Sequence, residues 1–350
     1  MRGSGAEVLA QERQDAVLGV RGGGWSHAPT PMTVINTDVG GARHDAGMAT
    51  FTIVPSGAYS LRESAEFGFG QRSADRFDGI FRLAFCLDGY RTQVGVELRQ
   101  DRLGVHGIVR GDADIDVPAV TRQVARVLSL DHDAAGFAEV GRRDPIIGRL
   151  QEVAPGLLPP LFYSPYEAAI WSVLSARRPA QQMTEVRRRL SIQYGRVFDL
   201  AGQQLAALPT PEQLLGVREI PGITPEKISR MHGIARAALA GRLDADRLLW
   251  LGPEITTQEM QHLKGIGPFY ATLITIRAVG FADVPPVDEP IVRELVTRLY
   301  HLPEPCTADR FLEIAEAWRP FRTWASVLIR AASTRLSQEP PSRPITTPRR

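Results

Sequence analysis

Four features of this chain have the residue types and spacing to do chemistry. The first is the turn Gly265-Ile266-Gly267, inside LKGIGPFYA at 263–271. Glycines two apart let the backbone come close to a ligand. A helix starting just beyond them points unpaired N–H groups and the positive end of its dipole at whatever binds there. That is chemistry for an anion, above all a phosphate, although a plain corner between two helices also uses glycine. The second is a carboxylate, Asp288, in DVPPVDEPI at 283–291, just before an expected helix. An acid there serves as an N-cap, and a catalytic role fits the same place; Asp283 and Glu289 are the competing acids. The third is a set of aromatic side chains, Phe269, Trp171, Tyr166 and Trp324, each readable as the wall of a pocket or as part of a core. The fourth is a scarcity. Of the 41 basic side chains only Lys227 and Lys264 are lysines, so few amines exist for Schiff-base chemistry.

Periodicity supplies the elements that must position these residues. From about residue 50 to 112 apolar residues recur at every second place: Phe81, Leu83, Phe85 and Leu87, then Val94, Val96 and Leu98, then Leu103, Val105 and Val109. Turns rich in Gly and Asp separate the runs, which predicts a meander of antiparallel strands. Ser60–Phe67 reads as a short helix. Asp116 reads as the cap of another, with the stripe Val120, Val124, Val127 and Leu128. From about 160 the period becomes helical. Ser164-Pro165 and Thr224-Pro225 open helices, Gly195 and Gly241 close them, and Pro320 breaks the last pair. The expected layout is a disordered segment at 1–45, an α+β domain at 46–150 (an antiparallel sheet with helices), an all-α domain at 155–336 and a disordered tail at 337–350.

Composition sets limits. A chain of 350 residues is long enough for two domains. A formal charge of +2 does not by itself announce a nucleic-acid partner. Cys86 and Cys306, the only cysteines, exclude a four-Cys iron–sulfur cluster and a Cys-based zinc site, and fit a reducing compartment. No apolar run approaches the roughly 18–20 residues that span a bilayer. The first residues lack the apolar core of a secretory signal. The expectation is a cytoplasmic protein with no membrane partner.

Five segments together carry a resemblance: SPYEAAIWSVL at 164–174, PTPEQLLGV at 209–217, LKGIGPFYA, DVPPVDEPI, and WRPFRTWASVLI at 318–329. They resemble the helix-hairpin-helix (HhH-GPD) DNA glycosylase superfamily, and most of all its bacterial 3-methyladenine DNA glycosylase II branch. The α+β unit resembles the extra N-terminal domain of that branch. The resemblance implies a base-excision repair enzyme that acts, as a monomer, on double-stranded DNA with a damaged base. Asp288 is then the catalytic acid. Lys264, Gly265, Ile266 and Gly267 of the hairpin bind DNA together with Arg177 and Arg178. Phe269, Trp171, Tyr166 and Trp324 form the base pocket. The carbonyls of Gln261, Leu263 and Gly265 are expected to hold a structural monovalent cation, and no redox or organic cofactor is implied.

Bifunctional relatives carry a lysine two residues after the second hairpin glycine. Phe269 stands there in this chain, so no imine chemistry and no strand cleavage are expected. Two departures stand out. Lys264 replaces the usual proline of the turn. Ser175-Ala176-Arg177-Arg178-Pro179 replaces a Gly-Gln turn bearing a bulky apolar wedge, and Arg177 falls about where the wedge would be. The second departure keeps two alternatives in play, a non-catalytic DNA-damage-binding protein and a glycosylase with another base range.

Overall fold

The computed structural model describes residues 33–35, 49–67 and 77–336, all within one unit, Pro31–Arg350. Of the segment expected to be disordered at 1–45, only 33–35 is described. The rest of it and the tail at 337–350 lie outside the described residues.

The period-two runs form an antiparallel sheet of β1 (Thr33–Ile35), β2 (Ala49–Val54), β3 (Phe81–Cys86), β4 (Gln93–Asp101) and β5 (Gly104–Arg110), ordered β1-β2-β5-β4-β3. Val96 pairs with Leu83 on one side and Val109 on the other. Leu103 departs from its expected place in the third run. It is 73% exposed at the tip of the β4–β5 turn, where Asp101 Oδ1 accepts the N–H groups of Leu103 and Gly104. The α1 helix (Leu61–Glu66) is capped by Ser60 and α2 (Val117–Val127) by Asp116, as their sequences require.

The all-α expectation for the second half needs one correction. Between helices lies a hairpin of β6 (Arg196–Leu200) and β7 (Gln203–Ala207). Ala201 and Gly202 both have positive φ, at 49° and 79°, which is the two-residue turn whose twist suits paired strands. Phe198 and Leu200 point inward and Val197 and Asp199 outward. The inward pair lies so close over Gly95 that a Cβ there would sit 2.8 Å from each. This cover explains why β4 is buried continuously from Gln93 to Leu98 rather than on alternate residues.

The remaining helices are α3 (Ala134–Arg143), α4 (Pro145–Val153), α5 (Pro165–Ser175), α6 (Ala180–Tyr194), α7 (Pro211–Leu215), α8 (Pro225–Leu239), α9 (Ala245–Leu251), α10 (Pro253–Gln261), α11 (Pro268–Ile274), α12 (Pro290–Leu299), α13 (Ala308–Ala315) and α14 (Arg322–Leu336). A π-helical turn, Thr275–Val279, extends α11 and ends at Gly280, whose φ of 105° favours glycine.

Two large apolar cores result, beside a small one of Ala84, Phe198, Leu200 and Ala207 under the β6–β7 hairpin. One joins the sheet to α2–α4 and α12–α14, with Trp318 and Trp324 at its centre. The other gathers α5–α11. The chain from 279 to 292 crosses between them, with Val279 and Phe281 in the second core and Ala282 and Val292 in the first. Asp288 sits on this crossing.

Candidate functional site

The hairpin is built by α10, the turn and α11. Leu263 and Ile266 are buried and root the turn in the second core. The Ile266 N–H donates to the Leu263 carbonyl at 3.0 Å; this carbonyl, one of the three expected to face a cation, therefore closes the turn. The two glycines differ in why they are needed. Gly265 has φ 98°, and a Cβ on it would lie 2.8 Å from Arg230 Cδ, so the fold itself asks for glycine. Gly267 has φ −86° and ψ 176°, extended backbone open to any residue. A Cβ on it would meet nothing within 4 Å. It is the N-cap of α11, no side chain caps it, and Pro268 follows. Nothing in the fold requires glycine at 267, and its open side leaves room for close backbone approach. Lys264 is exposed beside them.

The turn after α5 comes to face the hairpin across a cleft of about 550 Å³. Ala176, Arg177 and Arg178 of that turn, Gly265, Gly267 and Tyr270 of the hairpin, and Thr224, Glu226, Lys227 and Arg230 at the start of α8 line it. The Tyr270 hydroxyl lies 3.3 Å from Ser175 Oγ, tying the two sides together. Of the four cations here, Arg230 is paired with Glu226 at 2.5 Å. Arg177, Arg178 and Lys227 make no ion pair among the described residues. A cleft of this sign suits a polyanion. The expected hairpin and Arg177–Arg178 positions are thus brought together. Lys227, Arg230 and Tyr270 were not foreseen.

Asp288 lies elsewhere, in the turn before α12, and does not line this cleft. Its neighbours are fastened. Asp283 is 7% exposed and accepts from Arg322 Nε at 2.9 Å, from Arg322 Nη2 at 3.0 Å and from Arg319 Nη1 at 3.0 Å. Thr323 Oγ1 donates to the Phe281 and Val284 carbonyls, and the Val284 N–H bonds back to it. On the other side, Glu289 accepts the Ile291 N–H at 3.2 Å and pairs with Arg330 at 3.3 Å. Glu289 is therefore the cap of α12, which corrects the capping role considered for Asp288. Three acids share this segment, and two are committed to holding it. Asp288 is exposed, with no hydrogen bond or ion pair among the described residues.

The aromatic residues separate by burial. Phe269, in the first turn of α11, is 53% exposed and meets the Tyr270 ring edge-on at 5.3 Å. Trp171 is buried in the second core. Tyr166 is fully buried and donates its hydroxyl to the Pro209 carbonyl. Trp324 packs among Phe137, Phe321 and His132 in the first core. Phe269 alone of the four presents a free aromatic face. No group of three or more His, Cys, Asp and Glu suited to a metal occurs among the described residues. No helix among them is long and apolar enough to cross a membrane.

With this geometry in place, the chain can be set beside known proteins. No protein-family profile matches it. It is 22% identical over 219 residues to a DNA-3-methyladenine glycosylase of Bacillus subtilis, covering 59% of this chain and 70% of that protein. It is 29% identical over 215 residues to a probable bifunctional transcriptional activator/DNA repair enzyme AlkA of Mycobacterium tuberculosis, covering 60% of this chain but only 42% of that longer protein. Among solved structures, a 3-methyladenine DNA-glycosylase from Archaeoglobus fulgidus superposes with a TM-score of 0.65 at 23% identity, over 82% of this chain and 99% of that one. The chain is thus a homologue of DNA-3-methyladenine glycosylases, built on the helix-hairpin-helix glycosylase fold.

Proposed function

We propose that the chain is a monofunctional DNA glycosylase that removes alkylated purines of the 3-methyladenine type from double-stranded DNA. The observation that carries the reading is Asp288, a solvent-facing carboxylate between two acids that anchor its segment, on a chain whose hairpin glycine at 267 has no role in the fold.

The chemistry follows from charge. Breaking the bond between C1′ and the base nitrogen builds positive charge on the sugar, and the bonding electron pair leaves with the base. An alkylated purine already carries the positive charge that this pair neutralises, so no general acid is needed. The Asp288 carboxylate stabilises the oxocarbenium-like sugar and accepts a proton from the attacking water, whose oxygen bonds to C1′. The products are the free base and an abasic site. Such an enzyme must first flip its base out of the stack and hold it against aromatic or apolar walls. The exposed Phe269 ring is the proposed wall, and an aromatic face attracts a cationic purine by about 0.5–2 kcal/mol. The hairpin and the exposed Arg177 and Arg178 beside it supply the positive surface for the backbone.

Phe269 also supports the absence of strand cleavage, because no amine occupies that position. The test is incubation with methylated duplex DNA, reading released base and trapping with borohydride. Released 3-methyladenine and no trapped protein–DNA adduct is the expected result. DNA binding without release at saturating protein selects the damage-binding alternative, and an adduct refutes the monofunctional assignment.

A further inference from the structure

The turn from Ser175 to Pro179, between α5 and α6, is held from outside itself. Lys227 Nζ donates to the carbonyls of Leu174 at 2.7 Å and Ala176 at 3.1 Å. These belong to the end of α5, where carbonyls lack intrahelical partners and the dipole is negative. Arg178 Nη2 donates to the Gly222 carbonyl at 3.1 Å, just ahead of α8. Ser175 meets Tyr270 of the hairpin helix. Every residue of the turn with a polar side chain is thus fastened except Arg177.

Arg177 is exposed, and its φ of 58° lies in the left-handed region that non-glycine residues rarely occupy. Such a conformation persists only where the surroundings over-determine it, and here they do. Lys227 holds its place against opposition. Burial first, then the nearby Arg178 and Arg230, pull its pKa below the ordinary lysine value. The two carbonyls are the groups that offset this. A half-buried lysine beside two arginines, with its two hydrogen bonds spent on one turn, implies that the shape of that turn matters.

We propose that Lys227 is a positioning residue. It locks the 175–179 turn in the shape that projects Arg177 from the rim of the cleft toward a duplex held by the hairpin. Arg177 is then the contact, a flat cationic side chain able to meet a phosphate or to lie against bases, and Lys227 acts only through it. The inference rests on the DNA reading above.

The experiment compares wild type, Lys227→Met, Lys227→Arg, Arg177→Ala and the double variant Lys227→Met/Arg177→Ala. Amide hydrogen exchange of the free protein reads the turn directly, without DNA. Affinity for an undamaged duplex at fixed salt reads the contact. The expected pattern is exchange at the amides of 175–178 accelerated on the order of tenfold in Lys227→Met, with the hairpin unchanged. Its loss of affinity equals that of Arg177→Ala, the double variant is no weaker than Arg177→Ala, and Lys227→Arg recovers part of the loss. Unchanged exchange, or losses that multiply in the double variant, overturns the proposal. So does wild-type affinity in Arg177→Ala, a surface variant that folding does not confound. Failure of the wild-type chain to bind any duplex sinks the DNA reading and this proposal together. Wild-type binding that Lys227→Met leaves intact sinks the proposal alone.

Discussion

Replacing Asp283 by Ala separates the acid that holds the 279–292 segment from Asp288, the proposed catalytic acid. The Asp283 carboxylate and the Arg322 guanidinium are each 8% exposed. Arg322 gives Asp283 three side-chain bonds, two to the carboxylate and one to its carbonyl, and the Arg322 N–H adds a fourth at 3.2 Å. Truncating one partner of a buried pair costs about 3–5 kcal/mol, and here the half-exposed Glu316, 3.3 Å from Arg322 Nη1, is the one carboxylate left to the buried guanidinium, which sets the cost toward the lower end. Arg319, half-exposed and also paired with Glu316, loses one contact and turns to water. The exposed Arg62–Glu66 pair is the control, since surface pairs contribute roughly 0–1 kcal/mol. For a domain of this size 1 kcal/mol shifts Tm by about 2–4 °C, so Asp283→Ala should melt on the order of 10 °C lower and Glu66→Gln within about 2 °C of wild type. At a temperature where the variant is folded, base release should fall while affinity for duplex DNA stays near wild type, because the hairpin roots in the other core. Melting within about 2 °C of wild type, or affinity lost together with release, refutes this division of labour.

Other outcomes follow from the same geometry. Gly267→Ala should melt like wild type, since its Cβ enters open space, yet bind duplex DNA at least several-fold more weakly; unchanged affinity by titration rules out close backbone approach there. Phe269→Ala should alter stability by less than about 1 kcal/mol, as surface changes do, while release of methylated purines slows; an unaltered single-turnover rate removes Phe269 from the pocket. Asp78 should titrate at about 2 by carboxyl NMR, chiefly because of its bond to Arg82. Its folded pKa lies below the ordinary value, so the small stability it adds is complete above about pH 4 and is lost as pH falls toward 2. Ordinary titration near 3.8 would mean that the Arg82 contact is not kept in solution.

Local rules made much of the site legible. Alternation placed β3, β4 and β5, proline and Ser or Thr caps placed the helix starts, and the glycine spacing placed the hairpin. What escaped has a physical cause in each case. The β6–β7 hairpin was hidden by its helical neighbours, although Val197–Leu200 alternates and Ala201-Gly202 is a turn pair. Tyr166 and Trp324 read as pocket walls because an aromatic at helical spacing looks the same whether it faces a core or a ligand. Glu289, not Asp288, caps α12, a choice that one residue of slack in the turn decides. Lys227 acts on carbonyls 51 and 53 residues away, a pairing that no local pattern announces.

The central claim is that Asp288 is the catalytic carboxylate of a base-excising enzyme. Single-turnover release of 3-methyladenine from methylated duplex DNA, comparing wild type with Asp288→Asn, tests it most directly. Affinity for the same duplex is measured in parallel. Asn keeps the shape and the exposure of the side chain and removes only the charge and the basic site. The account predicts a rate lower by about 10²–10⁴-fold, with affinity and melting temperature unchanged. Equal rates in the two proteins contradict it.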